Sequence, residues 1–390
     1  MPTRKVWPKL FIMLFANHLL PMSADSAPIV NEPVVRKERS ALTSMSAFSV
    51  FAVVVLVFVS ILPPLEAGGS GPKYRDLVEA VSGEEMMETV QHLEGFGSRI
   101  YNETAIVSVE SYIYDRFTSL DLKVEYQDFI VRDHVSRNIV ATLQGSSAGS
   151  PQYLFGAHYD SATMTMYQYS NMDDVPAPGA DDDASGVAAV LELARVLHDQ
   201  EVRNSVKFVA FAAEETGLNG SAYFVQHERT IGTEYAGTAI MDMIGYKLGQ
   251  ENRVNVYVDH EEDPFANATA ESISMYGVNL SMSVIVDPTM AYSDHYPFWI
   301  ADYPSMLMIE EINTTTGVLA NPYYHTSNDK SEHLSKELMT EVTKALLGAV
   351  LVLNEPLDKE TSPLLIFAIA TVAAAAIIII LYIGRRKVSQ

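Results

Sequence analysis

Short unbroken apolar runs alternate with stretches of helical period through the middle of this chain. Residues 153–157, 206–213 and 238–241 are continuous and about the length of strands buried on both faces. Residues 255–258 and 306–309 add further strands, and 138–143 another. Residues 124–129 alternate apolar and polar, as a strand with one wet face does. Over 184–198, Val187, Val190, Leu191, Ala194 and Leu197 fall on one helical face. Amphipathic spacing also predicts one or two helices over 74–93, a helix over 106–120, and a long one over 330–353. Strands interleaved with helices predict an α/β sandwich with a largely parallel core. Such sheets collect ligands just beyond the carboxyl ends of their strands.

The chain ends carry a different pattern. Residues 363–383 form an almost uninterrupted apolar run, followed at once by Arg385, Arg386 and Lys387. That length suffices for a transmembrane helix, with the basic cluster held on the cytoplasmic side. A second apolar segment, 48–62, follows Arg36, Lys37 and Arg39 and reads as a signal-peptide core cleaved near Ala67 or as an uncleaved anchor. Gly68-Gly69-Ser70-Gly71-Pro72 is a linker. Three regions are therefore expected: an N-terminal signal or anchor region over 1–72, a catalytic domain over 73–355, and a linker, transmembrane helix and basic tail over 356–390. Both charge asymmetries put the central domain outside the cell, at the cell membrane. Sequons at Asn102, Asn219, Asn267, Asn279 and Asn313 suit an external, N-glycosylated domain. A net charge of -23 argues against nucleic acid as a partner and reads as a solubilising surface. With no cysteine, disulfides and thiolate metal sites are excluded.

The candidate chemistry lies where the buried runs end. His158 and Asp160, two apart on a strand, share a face, so the aspartate can reach the ring nitrogen that His158 does not give to a metal. Asp181, Asp182 and Asp183 stand directly before a helix. One aspartate caps a helix well, but three adjacent ones raise one another's pKa unless a cation intervenes. Glu214 and Glu215 close a buried strand and point to different sides, so one can bind metal while the other takes a proton from water. Asp242 ends the next run and His325 lies in a turn-forming stretch. Taken singly, each has a bland reading as a cap, a solvated strand end or a satisfied core histidine. Taken together, two imidazoles and several carboxylates suit Zn²⁺, with Co²⁺ or Mn²⁺ as alternatives, in about twice the number one ion needs. Ser293-Asp294-His295 looks like a hydrolase triad, yet three contiguous residues do not converge as nucleophile, base and orienter.

These motifs, in this order over residues 75–355, resemble the M28 family of zinc peptidases, which includes secreted aminopeptidases of the leucine-preferring type. The resemblance implies a three-layer sandwich of zinc-dependent exopeptidase type, with a mixed, largely parallel sheet flanked by helices. It implies two Zn²⁺ per chain: Asp182 bridging both ions, His158 and Asp242 completing one, Glu215 and His325 the other. It makes Glu214 the general base, Asp160 the residue orienting His158, and a peptide with a free N-terminus the substrate. Some members carry a tyrosine a few residues before Ser-Asp-His that helps stabilise the oxyanion; here Tyr292 stands immediately before Ser293. A carboxypeptidase, another amidohydrolase, a glutaminyl cyclase or a non-catalytic binding domain are the competing readings. Retention of all five ligands and Glu214 weighs against the last. Oligomeric state and side-chain preference are not legible.

Overall fold

The computed structural model describes residues 74–163, 176–313 and 318–354. The expected anchors at 48–62 and 363–383, the linker, and Met164, Met166, Tyr167 and Tyr169 of the loop after Asp160 lie outside the described residues. Among those described, no helix is long and apolar enough to cross a membrane.

Helices α1 (Arg75–Glu79), α2 (Gly83–Glu94) and α3 (Ala105–Thr118) precede the sheet. There follow β1 (Lys123–Val131), β2 (His134–Leu143), β3 (Gln152–His158), α4 (Ala184–Leu197), β4 (Val206–Phe211), α5 (Asn219–Ile231) and β5 (Tyr235–Met241). The chain continues through β6 (Arg253–Val258), α6 (Pro264–Tyr276), β7 (Ser281–Val286), α7 (Tyr296–Ile300), β8 (Ser305–Glu310), the two-residue strands β9 (Ile312–Asn313) and β10 (Val318–Leu319), and α8 (Lys336–Leu353). One eight-stranded sheet has the order β1-β2-β4-β3-β5-β8-β6-β7. Its centre, β4-β3-β5-β8, is parallel, whereas β2 joins β4 and β6 joins β8 antiparallel. Mixed, with a parallel middle, the sheet matches the expectation.

Strand alternation explains why helices cover both faces. On β3, Phe155 enters one core with Phe208, Ala239 and Met306, packed under residues such as Val90, Ile113, Val187, Phe265 and Leu346 from α2, α3, α4, α6 and α8. Its neighbour Leu154 enters the opposite core with Val209, Ile240 and Leu307, beneath Phe224 of α5 and Phe298 of α7. Phe155 sits 6.1 Å from Phe208 and 5.5 Å from Phe265, ring centre to ring centre.

Side-chain caps set several helix starts. Ser82 accepts from the Glu85 N–H, Asp183 from Gly186, Asp263 from Ala266 and Ser335 from Leu338. The expected helix over 330–353 begins late, because Ser331–His333 forms a single 3₁₀ turn and Ser335 caps the helix proper. The end of α8 is pinned beside the starts of β3 and β4. Tyr153 Oη donates to the Leu353 carbonyl at 3.1 Å, while Asn354 accepts from the Asn204 N–H at 2.7 Å and donates to its carbonyl at 2.8 Å.

Candidate metal centre

Because β3, β4 and β5 are parallel neighbours, their carboxyl ends open at one edge of the sheet. His158 is the last residue of β3, Glu214 and Glu215 follow β4, and Asp242 follows β5. Asp182 arrives from the turn before α4, and His325 from the loop after β10. Ala213, Met243 and His325 are left-handed (φ 54°, 55° and 54°), a conformation uncommon outside glycine, and each is a candidate site residue or adjoins one.

The five predicted ligands converge as two groups that share Asp182. Its Oδ1 lies 3.2 Å from His158 Nε2, and its Oδ2 lies 3.0 Å from His325 Nε2. His158 Nε2 is also 3.7 Å from Asp242 Oδ1, and His325 Nε2 is 3.0 Å from Glu215 Oε2. A tetrahedral zinc with bonds of about 2.1 Å separates its ligand atoms by roughly 3.4 Å. The spacing, the burial and the hard-to-borderline donors all fit that ion. Glu214 Oε2 stands 4.0 Å from His158 Nε2, just outside the first group.

Asp183 also lies within ligand reach of His158 and Asp242. Its carboxylate, however, accepts three main-chain N–H groups, from His158 (3.2 Å), Gly186 (2.9 Å) and Met243 (3.2 Å). Asp181 likewise accepts from the Gly245 N–H (2.8 Å) and Asn321 Nδ2 (2.7 Å). Of the three aspartates, Asp182 is the one left facing both histidines. Glycine is required around them: a Cβ on Gly186 would come within 2.5 Å of the Asp183 carboxylate, and Gly179 has φ +52° with no room for a side chain.

Electrostatics reflect a crowd of buried carboxylates. Burial and then the His158 charge act most strongly on Glu214; with Glu215, Asp294 and Asp242 nearby, the net result is well above the usual carboxylate range. Burial opposes the imidazolium of His158, but Glu214 and the carboxylates of Asp160, Asp182 and Asp242 hold its pKa well above 6.5. His325 is raised to about 10 against the same burial penalty by Asp182 and Glu215. Asp182, although buried, is held well below the usual range by the two histidines. Negative charge this concentrated draws in positive charge, and a divalent cation is the species the donor set is built to take.

Asp160 meets His158 through both its main chain and its carboxylate. Its main-chain oxygen, at 3.1 Å, is the hydrogen-bond partner of His158 Nδ1, and its carboxylate lies farther off at 3.7 Å. The carboxylate also accepts the main-chain N–H groups of Glu214 (3.0 Å) and Glu215 (3.3 Å), so it aims the β4 turn as well as meeting the histidine. Tyr292 is 81% exposed. Tyr324, which the motif pattern did not single out, is stacked on His325 with ring centres 3.8 Å apart. Burial first, then Asp182, Glu215, Asp242 and Glu214, raise its pKa, so its hydroxyl remains a donor facing the carboxylates. Asp329 was also missed: its oxygens accept the N–H groups of Asp181 (2.9 Å) and Asp182 (3.1 Å). In the Ser-Asp-His stretch, His295 Nε2 is committed to the Met290 carbonyl at 2.9 Å, and burial lowers its pKa to about 3.

A model of peptidase family M28 matches residues 138–350, more than half of the chain, and the chain belongs to that family. A curated relative, leucine aminopeptidase 1 of Fusarium vanettenii, is 26% identical over 291 residues, 70% of this chain and 71% of the relative. Among solved structures, a zinc aminopeptidase from Bacillus subtilis superposes with a TM-score of 0.59 at 18% identity, over 70% of this chain and 96% of that one. Glutaminyl cyclase of Porphyromonas gingivalis superposes with a TM-score of 0.57 at 21% identity, over 70% and 98%. At those identities the two superpositions establish the fold.

Proposed function

We propose that this chain is a zinc-dependent aminopeptidase with a two-zinc centre, removing N-terminal residues from peptides. The observation that carries it is the position of Asp182, whose two carboxylate oxygens face two separate imidazoles at 3.2 and 3.0 Å. His158 and Asp242 would hold one ion with Asp182, and Glu215 and His325 the other. When bound, zinc there supplies Lewis acidity toward the scissile carbonyl and lowers the pKa of water.

The remaining steps fall to the protein. Glu214, raised in pKa and beside both groups, takes the proton of the attacking water and returns it to the leaving amine. Asp160 fixes the Glu214–Glu215 main chain, so base and ligand move as one unit. The Tyr324 hydroxyl, kept protonated, is placed to donate to the oxygen on which charge develops. Buried walls of α/β core exclude bulk water from the inner side of the site.

The deciding measurement is hydrolysis of leucine p-nitroanilide and its N-acetyl analogue, before and after chelation, with zinc added back. Cleavage of the free amine alone, restored by zinc, supports the reading. No cleavage of either by metal-loaded protein sinks it. The fold shared with a glutaminyl cyclase favours one second reading, tested in the same assay by ammonia release from an N-terminal glutamine peptide. An extracytoplasmic, membrane-anchored domain is part of the proposal, supported by the apolar runs at 48–62 and 363–383 and their basic flanks. Protease shielding of intact and permeabilised cells tests it.

A further inference from the structure

We infer that Arg99 is a positioning residue for the half-site built on His158, supplied by a segment outside the 138–350 stretch that defines the family match. Arg99 lies between α2 and α3 and is completely buried. Its guanidinium meets main-chain carbonyls on both sides of the site. Nε donates to Tyr159 at 2.8 Å, next to His158, while Nη2 donates to Gly179 at 2.7 Å and Nη1 to Pro178, on the turn leading into Asp182. The main chain repeats the link: the Arg99 N–H donates to Ser161 Oγ at 3.0 Å, and the Ser161 N–H to the Arg99 carbonyl at 3.2 Å. Ser161 Oγ in turn donates to the Ala177 carbonyl at 2.6 Å.

One rigid fork therefore sets the distance between the strand end that carries His158 and the turn that carries Asp182. Lysine has the charge but not the planar fork, so it cannot meet three carbonyls in these directions. A buried charge is costly unless something compensates it, and Asp329, Asp182, Asp160 and Asp183 surround this one. The Arg99 hydrogen bonds run to the His158 strand end and the Asp182 turn, Asp329 also holds the Asp182 main chain, and Glu215 meets this segment through its N–H on Asp160. Loss of the fork should thus fall more heavily on the His158-dependent ion than on the other. This inference rests on the metal-centre reading above.

The test is stepwise uptake of Co²⁺ by the metal-free full-length chain, followed by visible absorption, for wild type, Arg99→Gln and Arg99→Lys. His158→Gln and Glu215→Gln serve as references that identify each step. Both Arg99 variants should lose about 10- to 100-fold in affinity for the His158-dependent ion and clearly less for the Glu215-dependent ion. Ser161→Ala, a milder cut of the same link, should show the same selectivity to a smaller degree if the arginine variants fold poorly. Wild-type affinities at both steps, or equal weakening of both alongside lower stability of the metal-free protein, would overturn the inference. A wild type that takes up one equivalent refutes the two-zinc reading instead; Arg99 is then judged on whether that equivalent weakens.

Discussion

Asp181, Asp182 and Asp183 carry the same side chain and end in three environments, because each meets a different set of main-chain donors. The Asp183 carboxylate meets three main-chain N–H groups and that of Asp181 one N–H, an asparagine amide and Glu310, whereas the Asp182 carboxylate faces the two histidines and its N–H donates to Asp329. Glu214→Gln should leave metal content unchanged and lower kcat by about 10²- to 10⁴-fold, the range a general base contributes; near-normal turnover by the metal-loaded variant would remove Glu214 from that role. Tyr324→Phe should lower kcat by about 10²- to 10³-fold with little change in KM, as loss of an oxyanion donor does. An effect confined to KM would make the hydroxyl a substrate contact only. The residues proposed as ligands stood out in the sequence because their chemistry is in their side chains, and His158, Glu215 and Asp242 also lie where buried runs end. Arg99 was not, since its partners are carbonyls that any residue supplies, and neither was Asp329, whose partners are N–H groups. Tyr324 was hidden next to a more conspicuous histidine.

At the scale of elements, the strands and helices with strong apolar patterns were readable, and the others were not for identifiable reasons. Helix α5 begins at Leu218 in a left-handed conformation with no side-chain cap, so nothing marks its start. Edge strand β7 is largely exposed and lacks a buried run. Helix α6 was missed even though Asp263-Pro264 and Gly277 are a start and stop signal. Elements β4, α5 and β5 are joined by a polar link inside the core: Lys207 Nζ donates to Glu228 at 2.6 Å and Tyr235 Oη donates to the same carboxylate at 2.9 Å. Burial would raise the Glu228 pKa, but Lys207 and these hydrogen bonds outweigh it and leave the pKa below its ordinary 4.5. Its stabilisation is therefore complete above the unfolded-state value and is lost as pH falls through the lower folded value. Glu228→Gln should cost about 3–5 kcal/mol at neutral pH by leaving Lys207 buried and unpaired. In denaturant titrations of metal-free protein, the gap from wild type should narrow as pH drops below about 4. A gap that is constant with pH would mean the carboxylate is not charged in the folded protein.

For the molecule as a whole, the proposed centre would link metal binding to folding. The proposed ligands come from four loops and a strand end, so an ion that binds only the folded state would add stability by mass action, about 2.7 kcal/mol at a hundredfold excess over its dissociation constant. Chelation should lower the midpoint of thermal unfolding, and zinc should restore it in step with activity; an unchanged midpoint would mean the loops are held without the ion. The pinned end of α8 has a separate consequence. Tyr153 and Asn204 mark where β3 and β4 begin, and the metal-facing residues lie where those strands finish, roughly 20 Å away along six or seven residues. Residue 354 is in effect a handle at the back of the tool. A resin or electrode that holds the chain there would grip it at the end of β3 and β4 opposite the candidate site. Enzyme immobilised through that end should keep the kcat/KM it has in solution.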